Sequence, residues 1–240
     1  MAEQKNAVES EGSAAGEALA VRFATQRGGL AIDLDFTAPP GITVLFGPSG
    51  AGKSTALAAI AGLLRPTEGR VVVGTEVWLD TAQRVERPVH QRRLAYVFQG
   101  LALFPHLTAV QNVAYGLVAG DRRQRADQAR ALLDRMQVGH LADRRPRTFS
   151  GGEAQRVALA RAFARAPRVL LLDEPFSALD RDLRAALGAE VKRYVAEARI
   201  PAVLVTHQRA EAHALGDRAV VVDRGRILGH GPVAAHIDLG

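Results

Sequence analysis

Nine consecutive residues, Gly47-Pro48-Ser49-Gly50-Ala51-Gly52-Lys53-Ser54-Thr55, fit the spacing G-x-x-x-x-G-K-[ST] at every fixed position. Glycines at these intervals let the backbone curl until successive N–H groups point at one place, which makes a concave anion site. A helix starting there adds the positive end of its dipole. Lys53 brings a point charge to the β- and γ-phosphates of a nucleotide, and the Ser54 hydroxyl is a ligand for Mg²⁺. A second cluster, Arg168 to Pro175, reads RVLLLDEP: an apolar run that ends in two carboxylates. A buried strand of this kind sets its terminal acid at the C-terminal edge of a sheet, where ligands bind in open α/β folds. Asp173 would hold Mg²⁺, directly or through water. Glu174, one residue on, points elsewhere and would polarise a water for in-line attack on the γ-phosphate.

The elements that position these groups follow from pattern. Ile42 to Phe46 is a short apolar run ending at glycine, and Lys53 to Leu64 is Ala/Leu-rich and helical in pattern. Strand, glycine-rich turn and helix in that order open a nucleotide-binding α/β unit. Upstream, Leu19 to Thr25 and Leu30 to Phe36 are strand-like, with Gly28-Gly29 as the turn between them. The stretch from about Gln99 to Gly151 changes character. Arg122, Arg123, Arg125 and Arg130 cluster there, with Ala131, Leu132, Leu133 and Met136 at helical spacing, which predicts a helical insertion. Strand-length runs return at Val169 to Leu172, Ala202 to Val205 and Ala219 to Val222, separated by helical stretches. That alternation predicts a largely parallel, buried sheet. Residues 1–18 are rich in Glu, Ser, Ala and Gly and are expected to be a disordered tail.

Composition narrows the choices. The chain has 240 residues and no cysteine, so disulfides, thiolate metal sites and cysteine nucleophiles are excluded, and a reducing compartment fits. Hydrophobic residues at 48% can form a sizeable core. The net charge of +6 suits phosphates, nucleic acid or an anionic membrane face without choosing among them. The first residues lack the apolar core of a secretion signal, and no run approaches the ~18 apolar residues of a membrane span. The expectation is a protein that is soluble or held at a membrane by a partner. There is no N-K-x-D segment to read a guanine base. Arg144, Arg145 and Arg147 read as a solvated face, and His106 as a polar surface residue without a second ligand at metal spacing.

At Phe149 to Ala162 the sequence FSGGEAQRVALARA resembles the signature of ATP-binding cassette (ABC) ATPases, whose usual core is L-S-G-G-Q. Gln99 in YVFQG resembles that family's Q-loop, Ser177-Ala178-Leu179-Asp180 its D-loop, and His207 in VLVTH its switch histidine. The resemblance covers residues 19–235. Phe149 and Glu153 depart from the usual spelling, whereas Ser150, Gly151 and Gly152 keep it. The resemblance implies a P-loop NTPase (RecA-like) α/β core with a mostly parallel sheet, a small antiparallel β region and an inserted α-helical subdomain. The ABC ATPase domain would span 19–236, with core at about 19–98 and 160–236 and the insertion at about 99–159. It implies ATP and Mg²⁺ as ligands, with Ser54, Gln99 and Asp173 around the metal. Glu174, His207 and Gln99 would be catalytic, and Asp180 would lie at the nucleotide. Phe23 is the candidate for stacking on adenine, with an ordinary core position as the alternative.

Ser150-Gly151-Gly152 at a helix start is a second anion site, and one γ-phosphate needs both. In the family the second comes from a partner, so a head-to-tail homodimer, or a pair with another ATPase subunit, sandwiching two ATP molecules is implied. Leu103-Phe104-Pro105-His106-Leu107-Thr108 with Asn112 resembles the importer branch. There Phe104 and Leu107 would receive a helix of an integral-membrane permease, or else pack internally. The loop FGPSGAGKS, together with AGLLRPTEGRV, RRLAYVFQ and GDRAVVVDRGRI, is most like molybdate and related oxyanion subunits. Sulfate, iron, polyamine and sugar importers share much of this spelling. An exporter or lipoprotein-release subunit is an alternative, and a soluble non-transport ABC ATPase a remote one. The implied setting is peripheral, on the cytoplasmic face of a bacterial inner membrane, with a periplasmic solute-binding protein as an indirect partner and nucleic acid not implied. Many relatives continue into a C-terminal regulatory domain, and the stop at Gly240 leads to no expectation of inhibition through one.

Overall fold

The computed structural model describes residues 17–177 and 179–237. All but the last two residues of the expected 1–18 tail, and Ala178 of the D-loop, lie outside the described residues.

The chain opens with an antiparallel hairpin, β1 (Leu19–Arg27) and β2 (Leu30–Ala38), around Gly28-Gly29. Strand β3 (Gly41–Phe46) runs into the glycine-rich loop and helix α1 (Lys53–Ala61). The helix stops short of the expected Leu64 because Gly62, at φ 78°, forms a left-handed C-cap. Strands β4 (Glu68–Val73), β5 (Glu76–Asp80) and β6 (Val85–Glu86) extend the hairpin antiparallel, and β7 (Leu94–Val97) follows. Every regular element between β7 and β8 (Val169–Asp173) is helical: α2 (Ala109–Ala114), α3 (Arg122–Arg135), α4 (Gly151–Ala164) and short 3₁₀ turns. Then come α5 (Arg181–Ala198), β9 (Pro201–Thr206), α6 (Arg209–Leu215), β10 (Arg218–Asp223), β11 (Arg226–Pro232) and α7 (Val233–His236).

One sheet of eleven strands carries the described chain, in the order β6-β5-β4-β1-β2-β11-β10-β3-β9-β8-β7. From β10 to β7 neighbouring strands are parallel; β6 to β2 are antiparallel, and β11 joins β2 in parallel and β10 antiparallel. This is the α/β architecture that the sequence pattern predicts. The central strands are buried on both faces, so their residues alternate between two cores. Ile42, Val44, Leu170, Leu172, Ala202 and Leu204 face helices α4 and α5 with Val157, Leu187 and Val191. Leu45, Val169, Leu171, Val203 and Val205 face α1 and the antiparallel strands, where Leu57, Ile60, Phe23 and Trp78 pack. Each fully buried Leu contributes roughly 1.5–3 kcal/mol relative to exposure. The outcome is a rigid parallel sheet whose C-terminal edge carries the ends of β3, β8 and β9. No helix among the described residues is long and apolar enough to cross a membrane.

Candidate functional site

The loop after β3 is shaped by glycine. Gly47 has φ 155°, and a Cβ there would overlap the Val222 carbonyl oxygen of β10, so no other residue fits. Gly52, at φ 104°, N-caps α1 without any side chain to bond the helix's first N–H groups. Those groups are thus left for an external acceptor. Pro48, Ser49, Gly50 and Ala51 span the loop, closed by the Ala51 N–H donating to the Pro48 carbonyl at 3.2 Å. Lys53 is buried, and its ammonium folds back over the loop, donating to the Gly47 carbonyl at 2.9 Å and the Pro48 carbonyl at 2.7 Å. Burial pulls its pKa below the ordinary lysine value, while Glu174 and Asp173 pull it back up. Ser54 and Thr55 follow in the first turn of α1.

Strand β8 brings its acids to the same place. The Ser54 hydroxyl donates to Asp173 Oδ1 at 3.0 Å, and the Tyr96 hydroxyl of β7 donates to Oδ2 at 3.2 Å. Asp173 is 8% exposed, and burial raises its pKa above the usual carboxylate value; the Ser54 and Tyr96 bonds oppose the rise. Ser54 and Asp173 form an oxygen-only pair, and no cluster of three or more His, Cys, Asp or Glu side chains suited to a metal exists among the described residues. Such a pair fits Mg²⁺, which takes one or two protein oxygens and completes its shell with phosphate and water.

Glu174 is set apart by its backbone. Its φ of 47° is left-handed, a conformation that costs a non-glycine residue roughly 1–3 kcal/mol, and its side chain has partners different from those of Asp173. Its N–H donates to the Val205 carbonyl of β9 at 3.0 Å, and its carbonyl accepts from the Ser177 N–H and hydroxyl. The carboxylate is held at both ends: Gln99 Nε2 donates to Oε2 at 3.3 Å, and His207 Nδ1 lies 3.1 Å from Oε1. A carboxylate only accepts, so this contact requires the proton on Nδ1. Gln99, Glu174 and His207 thus converge from the ends of three adjacent parallel strands, β7, β8 and β9.

The serine–glycine corner lies at the start of α4. Ser150 is the N-cap: its hydroxyl oxygen accepts from the Glu153 N–H, and Glu153 Oε2 accepts from the Ser150 N–H at 2.7 Å and hydroxyl at 2.8 Å. These bonds lower the Glu153 pKa, and His140, 3.3 Å from its other oxygen, assists. Gly151 has open space where a Cβ would stand, whereas one on Gly152 would press on Leu183 at the start of α5. Asp180 caps α5 by accepting from the Leu183 N–H at 2.9 Å. No hydrogen bond among the described residues joins Ser150, Gly151, Gly152 or Asp180 to residues 47–55. The chain therefore carries two separate anion-type sites.

One expectation is corrected. Phe23 is 1% exposed and sits in the core between β1, β2 and β4, with a Cβ on Gly69 of β4 pressing against its own, so its ring offers no face to a base. The alternation Leu19, Val21, Phe23 along β1 already marks it as inward-facing. Two groups at the site carry no signal in the sequence reading. Tyr96 reaches Asp173 only through the β7–β8 register. Arg184 donates to Gln208 Oε1 at 2.6 Å and the Leu179 carbonyl at 2.9 Å, so it ties the D-loop to the residue after His207. Around Phe104, Asn112 is fully buried and bonds the backbone of Phe104, Leu107 and Thr108. Phe104 packs edge-on against Tyr115, which is itself 69% exposed.

Known proteins resemble this chain in sequence and fold. The chain is 44% identical over 217 residues to the "Molybdenum import ATP-binding protein ModC" of Albidiferax ferrireducens, which covers 90% of this chain and 59% of that protein. The protein of the same name from Rhizobium meliloti is 45% identical over 218 residues, covering 90% and 61%. The chain thus spans about three-fifths of the length of these curated relatives. Among solved structures, the dimeric structure of MJ0796, described as a bacterial ABC transporter cassette, superposes with a TM-score of 0.77 at 28% identity, covering 90% of this chain and 98% of that one. A dimeric post-hydrolysis state of the same cassette bound to ADP and Pi gives 0.75 at the same identity and coverage. The family model for ABC transporters matches residues 32–177, which takes in the glycine loop, Gln99, the serine–glycine corner and both acids. On these grounds the chain belongs to the ABC transporter family.

Proposed function

We propose that this chain is the ATP-hydrolysing motor subunit of a molybdate importer, working as a head-to-tail dimer. One observation carries the hydrolase reading: Glu174 stands beside the Ser54–Asp173 pair with its carboxylate fixed by Gln99 and His207. The relatives named for molybdenum import support the solute, and the dimeric cassette supports the assembly.

In this reading the free N–H groups of the loop and of the first turn of α1 cradle the phosphates of ATP, and Lys53 swings from its loop carbonyls to the terminal phosphates. Ser54 and Asp173 would hold Mg²⁺, which would supply neutralisation of charge on the outer phosphates. Gln99 and His207 orient Glu174 against a water. Glu174 takes that water's proton as its oxygen attacks the γ-phosphorus, the bond to the bridging oxygen breaks, and ADP and phosphate leave. The Ser150–Gly152 corner of a second copy supplies the missing donors for the same γ-phosphate, which accounts for two anion sites that do not meet within one chain. Integral-membrane permease subunits would dock at the surface around Phe104 and Tyr115, with a periplasmic solute-binding protein acting through them. The chain would then sit at the cytoplasmic face of a bacterial inner membrane.

The test is ATPase activity of the complex reconstituted with its permease, with molybdate, sulfate or no oxyanion presented by the binding protein. Molybdate-dependent stimulation supports the reading. Stimulation by sulfate alone would move the solute, and an absence of ATP turnover in every condition would remove the motor.

A further inference from the structure

Directly after Gln99 the backbone is bent in a way that needs outside support. Leu101 and Ala102 both have positive φ, 57° and 48°. Two consecutive residues bearing a Cβ persist in this region only where neighbouring groups hold them. The turn's own N–H groups bond the Phe98 and Gly100 carbonyls, and its carbonyls are held by Arg161, in the last turn of α4, the helix capped by Ser150. Its Nη2 donates to the Leu101 carbonyl at 3.0 Å and its Nη1 to the Ala102 carbonyl at 2.8 Å. The same guanidinium lies 5.4 Å from the centre of the Phe104 ring. No ion pair to Arg161 exists among the described residues, and burial pulls its pKa down. A cation desolvated against carbonyls and an aromatic ring is costly to keep unless its geometry is used.

We infer that Arg161 is a positioning residue that ties the Gln99 segment to the helix carrying Ser150, so that Gln99 and the serine–glycine corner of one chain move as a unit. Its planar fork spans both carbonyls of the strained turn, and its stem belongs to α4. A displacement of Gln99 relative to Glu174 therefore pulls on the helix that presents Ser150. The inference rests on the ATPase reading above. Under that reading Gln99 reports the nucleotide bound by its own chain, and Ser150 serves the nucleotide bound by the other. Arg161 then carries cooperativity between the two sites rather than chemistry at either.

The test uses the full chain. In Arg161→Lys a single ammonium replaces the fork and reaches one carbonyl at a time. Ala102→Pro, at an exposed position, forbids the positive φ and undoes the turn from its other side. Both variants are expected to bind ATP with near wild-type affinity, to lose roughly tenfold in kcat, and to bring the Hill coefficient for ATP from near 2 towards 1. In the Gln99→Ala background, Arg161→Lys should cost nothing further in kcat, because its effect passes through Gln99. Hydrogen exchange should rise at residues 100–104 while the middle of α4 stays protected. Losses of Arg161→Lys and Gln99→Ala that simply multiply, or an unchanged Hill coefficient in both variants, would overturn the inference. Absence of turnover in the wild type would instead remove the ATPase reading; the exchange experiment without nucleotide would still show whether Arg161 holds the turn. Should Arg161→Lys fail to fold, Ala102→Pro decides alone.

Discussion

The Ser54 hydroxyl donates to Asp173 Oδ1 across 3.0 Å, joining two motifs that stand 119 residues apart in the chain. The contact exists because β3 and β8 flank β9 in parallel, so the loop after one strand and the acid at the end of the other meet on one edge of the sheet. Glu174, outside that pair and oriented by Gln99 and His207, is the proposed base. In Glu174→Gln the amide keeps shape and hydrogen bonds but cannot take a proton. Phosphate release is expected to fall by about 10²–10⁴-fold while ATP binding persists and dimers accumulate. Turnover within a fewfold of wild type would exclude Glu174 as the base.

Gly47 is bounded by the Val222 carbonyl, and its φ of 155° places a Cβ straight onto that oxygen. Gly47→Ala should therefore move the loop and weaken ATP binding by at least tenfold, measured by equilibrium titration, whereas Gly50→Ala meets nothing within 4 Å of its Cβ, carries only the backbone strain of its φ of 80°, and should cost less. Equal losses at both positions would contradict the steric argument.

Phe23 separates the core reading from the stacking one. Phe23→Leu keeps an apolar side chain inside the β1–β2–β4 packing and should leave ATP affinity unchanged, whereas Phe23→Ala should destabilise the fold by about 3–5 kcal/mol. Chemical denaturation and nucleotide titration on the pair give the answer; a selective loss of ATP affinity in Phe23→Leu would restore a role at the base.

How far the sequence reaches is visible in these residues. The phosphate loop and the two acids are legible because their chemistry dictates residue type and spacing, and the parallel sheet because both-face burial writes continuous apolar runs. Phe23 is open to two readings in the sequence, and its burial on the inward face of β1 favours the core one. The strands β4 and β5 are hard to read although Gly74-Thr75-Glu76 separates VVV from VWL, since each run is short and the sheet position of a meander is set by its partners. The contacts of Tyr96, Arg161 and Arg184 were beyond reach for another reason. Each joins segments 59 to 77 residues apart or rides on a loop conformation, and strand register or helix orientation alone decides the partner.

Glu211 gives a stability prediction. It is buried on α6, with Oε2 accepting from the Thr206 hydroxyl at 2.8 Å and Oε1 without a hydrogen-bond partner among the described residues. Burial raises its pKa above 4.5, although Thr206, Arg184 and His207 oppose the rise. The folded state then binds the proton more tightly than the unfolded one, so this residue's effect grows unfavourable as pH rises from 4.5 through the raised folded value. Glu211→Gln removes the charge and keeps the Thr206 bond. Its stability relative to wild type should increase with pH across that window and level off above it, as read by urea denaturation. A difference that is flat with pH would rule this out.

The central claim is that the reaction needs two copies of this chain, because the Ser150–Gly152 corner does not meet the phosphate loop of its own chain. Steady-state ATPase measured over a thousandfold range of protein concentration, with sedimentation under the same conditions, tests it most directly. Activity per chain should fall on dilution in step with the dimer fraction. A monomeric chain that cleaves ATP at the undiluted specific rate would contradict it.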